Sequence, residues 1–206
     1  MTRSFPTLAA VMLLLGCAGS PLPRTYVLAA PAEADPGVVN ESGRRVIELP
    51  TVALPDYLDS SDIVVRNGQN ELIPSKTGRW GERLSIGITH ALEVDLARRL
   101  PGVLVTHTGM SGQNSTSLLV NVEAFDVQPD GRCVLTARWM LPGDTGQSAT
   151  ISQQGTFVTQ AAVTQGAASS AGTLSDAAIV SAMAAAINQL ADHIASSVPR
   201  NLSRPR

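Results

Sequence analysis

Apolar residues recur every four positions at Trp80, Leu84, Ile88, Leu92, Leu96 and Leu100, with Ala91 widening the stripe. That period predicts an amphipathic helix over 79–100, stopped by Pro101-Gly102. A second stripe, Ile179, Met183, Ile187, Leu190, Ile194 and Val198, predicts a last helix with Ser175 as its N-cap and Pro199 as its end. Elsewhere the pattern is that of strands. TYVLAA reads as a short one, and VIELPTVALP as another whose Pro50 and Pro55 suggest an edge position or an early end. IVVR and ELIP flank Asn67-Gly68 as a hairpin, and SLLVNVEAFDVQ and CVLTARWML flank PDGR as a second. VLVTH and the more polar ISQQGTFVTQ complete the set, while PAEADPGVVNESGRR and 161–173 read as loops. Strands, helix, strands, helix predict an α+β two-layer sandwich: a mixed, mostly antiparallel sheet with two long helices packed on one face.

The amino end stands outside this pattern. Arg3 precedes an apolar run of eight residues ending at Leu15, too short for the roughly 20 that a membrane-spanning helix needs. Leu14-Leu15-Gly16-Cys17 resembles a bacterial lipobox. That resemblance implies cleavage before Cys17, acylation of its thiol and new amino group, and, with Ala18 rather than aspartate following, sorting to the outer membrane. The expected organisation is a lipoprotein signal peptide at 1–16, a lipidated N-terminus and spacer at 17–25, a single domain at 26–199 and a disordered tail at 200–206. Several acyl chains, at about 0.8 kcal/mol per buried CH₂, anchor durably. The spacer reaches less than roughly 30 Å at about 3.3 to 3.6 Å per residue, so the domain hangs close to the membrane.

A formal net charge of −2, with one lysine, Lys76, and scattered arginines, provides no basic stripe for nucleic acid. With Cys17 given to lipid, Cys133 is the one remaining thiol, so no intrachain disulfide is available. It shares a strand face with Leu135, Ala137 and Trp139 and reads as a buried, inert thiol. GMSG lacks the full G-x-S-x-G spacing, and S-x-x-K, G-x-x-x-x-G-K and H-E-x-x-H do not occur. His90 and Glu93 stand at i and i+3, a spacing that suits a metal, without a second ligand pair to complete a site. No catalytic residue, metal or cofactor is therefore assigned. At 3% aromatic residues the chain also lacks stacking platforms for sugars or single-stranded nucleic acid.

The densest polar stretch is LPDYLDSSDIVVR. Pro55 closes a strand, Asp56 to Asp62 suit a turn, and Arg66 is placed to pair with Asp59 or Asp62. Glu82 is expected to sit favourably at the start of a helix. Tyr26-Val27-Leu28 after a lipobox, then Leu54-Pro55, Tyr57-Leu58-Asp59, Ile63-Val64, Arg66 and Trp80-Gly81-Glu82, resembles the PqiC/YmbA-like family of ABC-type transport auxiliary lipoproteins. The resemblance covers nearly all of the chain after the leader, with departures at Ser60-Ser61-Asp62 and Gly81. It implies a non-catalytic outer-membrane lipoprotein, facing the periplasm, that docks an MCE-domain protein of a lipid-transport system and forms homo-oligomers. Tyr57 and Leu58 are the candidate partner or subunit contacts. Two other readings stay open: a periplasmic lipid-binding carrier, with the loop at 161–173 as its lid, and a hydrolase built around Asp59, Asp62 or His107.

Overall fold

A computed structural model describes residues 22–28, 45–109, 115–142, 150–164 and 173–198. The leader, Cys17, most of the spacer, the loop at 29–44, most of the 161–173 loop and the tail with Pro199 lie outside the described residues. In chain order the elements are β1 (Arg24–Tyr26), β2 (Arg45–Glu48), β3 (Asp62–Asn67), β4 (Glu71–Trp80), α1 (Leu84–Arg99), β5 (Val103–Thr106) and β6 (Ser115–Ser117). They continue with β7 (Leu119–Val127), β8 (Arg132–Leu141), β9 (Ile151–Gln160), β10 (Val163–Thr164), β11 (Thr173–Leu174) and α2 (Asp176–Ser197).

Both hairpins form where glycine allows the chain to reverse. Gly68 at φ 65° turns β3 into β4, and Gly131 at φ 85° turns β7 into β8. Gly131 is further constrained, because a Cβ there would stand 2.6 Å from the Ala161 carbonyl. The strands gather into sheets β1-β4-β3, β5-β2-β6 and β7-β8-β9, with β10-β11 apart. β2 runs parallel to β5 and β6, and β1 parallel to β4; the hairpin pairs are antiparallel. Ala53 joins two of these sheets. Its N–H donates to Val120 O at 3.1 Å and its carbonyl accepts from Val122 N at 2.9 Å, so the chain beyond β2 bridges to β7.

Both helices bury their predicted stripes and, with the sheets, make the expected α+β two-layer sandwich. The apolar residues of α1 and α2 meet inward-facing Phe125, Leu135 and Ile47 in one core. Ser175 caps α2, its hydroxyl accepting from Ala178 N at 3.2 Å. Arg99 ties the helices together. Its Nε donates to Asp192 Oδ1 at 2.6 Å, Nη2 to Asn188 Oδ1 at 2.9 Å and Nη1 to Asp95 O at 2.8 Å. The Arg99 guanidinium beside Asp192 holds that carboxyl below its ordinary value.

Three expectations are corrected or narrowed. Trp80 does not begin α1; it is the last residue of β4, and the helix starts at Leu84. The backbone decides this, since Trp80 N donates to Ser61 O at 2.8 Å and Gly81 N to Tyr26 O at 2.7 Å, which ties both residues into the sheet. The four-residue spacing continues only because strand end and helix bury their apolar side chains in one core. Of the two readings of VIELPTVALP the early end holds and the edge does not: β2 stops at Glu48, before Pro50 removes a donor, and is paired on both sides by β5 and β6. The strand expected at TYVLAA begins one residue earlier, at Arg24, and its described part ends at Tyr26, before Val27 and Leu28.

Cys133 lies with Leu135, Ala137 and Trp139 in the core, and burial pushes its thiol up to about 11. It is expected to resist maleimide in the native protein and to react once urea unfolds the chain. The joint between β4 and α2 is equally tight: Thr77 Oγ1 donates to Asp176 Oδ2 at 2.6 Å, and a Cβ at Gly78 would lie 2.6 Å from the same oxygen. Gly78→Ala should therefore cost about 1–3 kcal/mol, read as a lowered Tm. Gly109→Ala, where nothing lies within 4 Å, should stay within about 0.5 kcal/mol of the parent.

Candidate partner-binding surface

The segment after Pro55 folds as a tight turn, with Leu58 N donating to Pro55 O at 2.9 Å and Ser60 N to Leu58 O at 2.8 Å. Such a turn drives one side chain inward and leaves its neighbour out. Leu58 is 2% exposed and belongs to the core, whereas Tyr57 is 45% exposed. The candidate contact pair is thereby reduced to Tyr57, since a side chain packed at position 58 has no surface to offer.

Asp59 reaches across to α1. Its Oδ1 accepts from Ser85 N at 3.0 Å and its Oδ2 from Arg83. Arg83, at the N-cap position, makes no side-chain cap bond of its own, so the carboxylate comes from 26 residues earlier in the chain. Burial pulls the Asp59 carboxyl upward, but hydrogen bonds from Ser85 and Arg83, with the Arg83 charge, outweigh it and hold it below its ordinary value. Glu82 does not take this role. It precedes the helix and faces His90 instead, at 3.2 Å.

Arg66 pairs with neither Asp59 nor Asp62. Its Nη2 lies 2.9 Å from Asp126 Oδ1 on β7, its Nη1 donates to Gln69 O at 3.0 Å, and its guanidinium carbon stands 5.7 Å from the Tyr57 ring centre. Asp59 is already occupied by Ser85 and Arg83, and β3 packs against β7, which puts Asp126 nearer. The hydrogen bond to Asp126 raises the Arg66 guanidinium above its ordinary value in spite of burial. Tyr57, Arg66 and Asp126 thus join a turn, a hairpin and the large sheet at one surface point. Asp126 had a legible signal: it is an acid between buried Phe125 and Val127, where a half-buried charge requires a partner.

The histidines also pair differently from their sequence spacing. His107 Nδ1 lies 2.6 Å from Glu93 Oε2, while His90 turns to Glu82, and the two imidazoles meet edge to face at 5.0 Å. Among the described residues no group of three or more His, Cys, Asp or Glu converges as metal ligands. His107, Asp59 and Asp62 do not come together: Asp59 is bound to α1, Asp62 N bonds Ser60 Oγ at 3.1 Å, and His107 is engaged by Glu93.

Several open depressions mark the described surface. One of about 480 Å³ lies between the helices over Ala91, Val94, Ala184 and Ala185, rimmed by Asp95, Arg98 and Asn188. Another, about 310 Å³, is more apolar and includes Pro50, Ala53 and the cross-strand neighbours Leu119 and Met140. No helix among the described residues is long and apolar enough to cross a membrane.

The sandwich with two helices over small mixed sheets recurs in solved proteins. A crystal structure of an uncharacterized protein superposes with a TM-score of 0.68 at 20% identity, covering 87% of this chain and all of that one. Protein XCC0632 from Xanthomonas campestris superposes with a TM-score of 0.56 at 13% identity, covering 84% of this chain and 90% of its own. At these identities the likeness concerns the fold. No curated protein matches the chain. Residues 26–195 match the ABC-type transport auxiliary lipoprotein component family, and the chain belongs to that family. It is accordingly a lipid-anchored protein of the periplasm, associated with the outer membrane, with an auxiliary and non-catalytic part in transport.

The Asp59 cap is open to a direct test. Asp59→Ala should lower stability by about 1 kcal/mol through loss of the helix cap. Because the folded carboxyl titrates below its unfolded value, its contribution is complete above about pH 4 and disappears as the pH falls through the folded value. Urea unfolding from about pH 5 to 2.5 should show wild type losing more stability than Asp59→Asn. Parallel curves would remove the carboxylate from this role.

Proposed function

We propose that this lipoprotein docks an MCE-domain protein of its own transport system at the outer membrane, held there by acyl chains on Cys17 and acting as a homo-oligomer. The supporting observation is the match of residues 26–195 to the auxiliary lipoprotein family. The surface offers a contact of suitable chemistry. Tyr57 is a half-exposed aromatic held beside Arg66, and Tyr and Arg are enriched where binding energy concentrates. Arg66 is itself fixed by Asp126, so the ring and guanidinium lose little freedom on binding.

Lipidation is tested by Cys17→Ser, which should move the protein from the membrane fraction to the soluble fraction while leaving its circular dichroism unchanged. A photoreactive residue at position 57, introduced in cells, should cross-link to the MCE-domain protein, whereas one at exposed Glu71 should do so far less. Consistent failure to recover that partner from cross-linked membranes would count decisively against the docking role.

A further inference from the structure

Asn67-Gly68 is the one Asn-Gly pair in the sequence, and it opens the turn from β3 to β4. Asparagine is a thermolabile residue, because its side-chain amide can be attacked by the next peptide nitrogen. Glycine in the following position exposes that nitrogen, since it has no Cβ to block the approach. The fold adds no protection of its own at Gly68. The residues from Asn67 to Glu71 are all exposed, nothing lies within 4 Å of where a Cβ would stand at Gly68, and Gly68 N donates to no group among the described residues.

Two contacts hold this tip. Asn67 and Glu71 face each other as the last pair of the β3–β4 ladder, and Asn67 Nδ2 donates to Glu71 Oε2. Arg66 Nη1 donates to Gln69 O at 3.0 Å. The second contact matters beyond the hairpin, because the same guanidinium reaches Asp126 and stands beside the Tyr57 ring.

We propose that Asn67 is a self-modification site, converted to aspartate and isoaspartate through Gly68 N, with Glu71 as the latch that slows the conversion. Gly68 N attacks Asn67 Cγ, the Cγ–Nδ2 bond breaks, and Nδ2 leaves as ammonia with the proton given up by the attacking nitrogen. The product is a succinimide ring. Water adds to one of its two carbonyls, and the ring opens to aspartate or, with the backbone routed through the side chain, to isoaspartate. The Glu71 bond opposes the first step, because it points the amide across the ladder to β4, whereas Gly68 N continues the chain of β3. Conversion then changes the tip in two ways. A carboxylate at position 67 stands opposite Glu71, and like charges directly opposite are destabilising. Isoaspartate also lengthens the backbone by a carbon between Arg66 and Gly68, which moves Gln69 O away from Arg66. Tyr57 thereby loses a fixed neighbour. That last consequence rests on the docking role proposed above, and the chemistry at Asn67 does not.

The test holds full-length lipidated protein in detergent in a warm, mildly alkaline buffer and follows each asparagine by peptide mass spectrometry with isoaspartyl methyltransferase labelling. Asn67 should convert ahead of Asn70, Asn121 and Asn188. Earlier conversion of any of those three, or none at Asn67, overturns the site. Glu71→Ala should convert about fivefold faster with unchanged circular dichroism, as loss of one hydrogen bond implies, and Glu71→Gln, which keeps an acceptor oxygen, should lie between. An unchanged or slower rate in Glu71→Ala overturns the latch. With a photoreactive residue at position 57 in cells, Asn67→Asp should cross-link the MCE-domain protein about twofold to fivefold less than the unreactive Asn67→Ser. Equal yields overturn the link from Asn67 to the Tyr57 surface, whereas absence of cross-linking in every background bears on the docking role alone.

Discussion

Among the described residues no sheet has more than three strands, and sheets of that size have little stability without a packed face. The constraint on everything else is therefore a single apolar layer that all of them share with both helices. The connection between β2 and β3 supplies much of the joinery. Leu49, Val52 and Leu58 all reach the core from it, and Ala53 fastens to β7 on the way. A segment that looks like a linker by its prolines is thus the part that makes several small sheets into one body.

Polar contacts then fix the orientation of what the core holds together. Asp59 sets the start of α1 against the turn, Arg99 sets its end against α2, and Asp176 sets the start of α2 against β4. Each joins residues distant in sequence, so each specifies tertiary geometry rather than local conformation. The aspartates of the turn therefore serve as structural fixings, and the surface beside them is left to Tyr57 and Arg66. That division suits an auxiliary component, whose task is to present a stable face to partners.

Sequence patterning reached the elements with strong periodicity: both helices, both hairpins, β9 from end to end, and the buried face around Cys133. It failed where two different elements bury residues in one core, as with Trp80, whose spacing mimics a helical turn. At β2 the prolines leave two readings, an edge or an early end, and only the pairing on both sides selects the early end. Choice of ionic partner was not legible either. The sequence offers Arg66 two nearby aspartates, Asp59 and Asp62, and only the packing of β3 on β7 selects Asp126 instead. Leu58 and Tyr57 differ in burial because of a turn whose direction no local pattern encodes.

A short strand takes on a mechanical meaning from the acyl anchor proposed at Cys17. β1 is the first described strand, three residues paired in parallel with the ten-residue β4, and Leu28 beyond it is buried. Load arriving from the bilayer enters the fold there and passes into β4, which is bonded on its other side to β3. The helices and the β7-β8-β9 sheet lie off that line of force. Thermal undulation of the membrane would thus strain the β1–β4 seam first, ahead of any contact deeper in the fold.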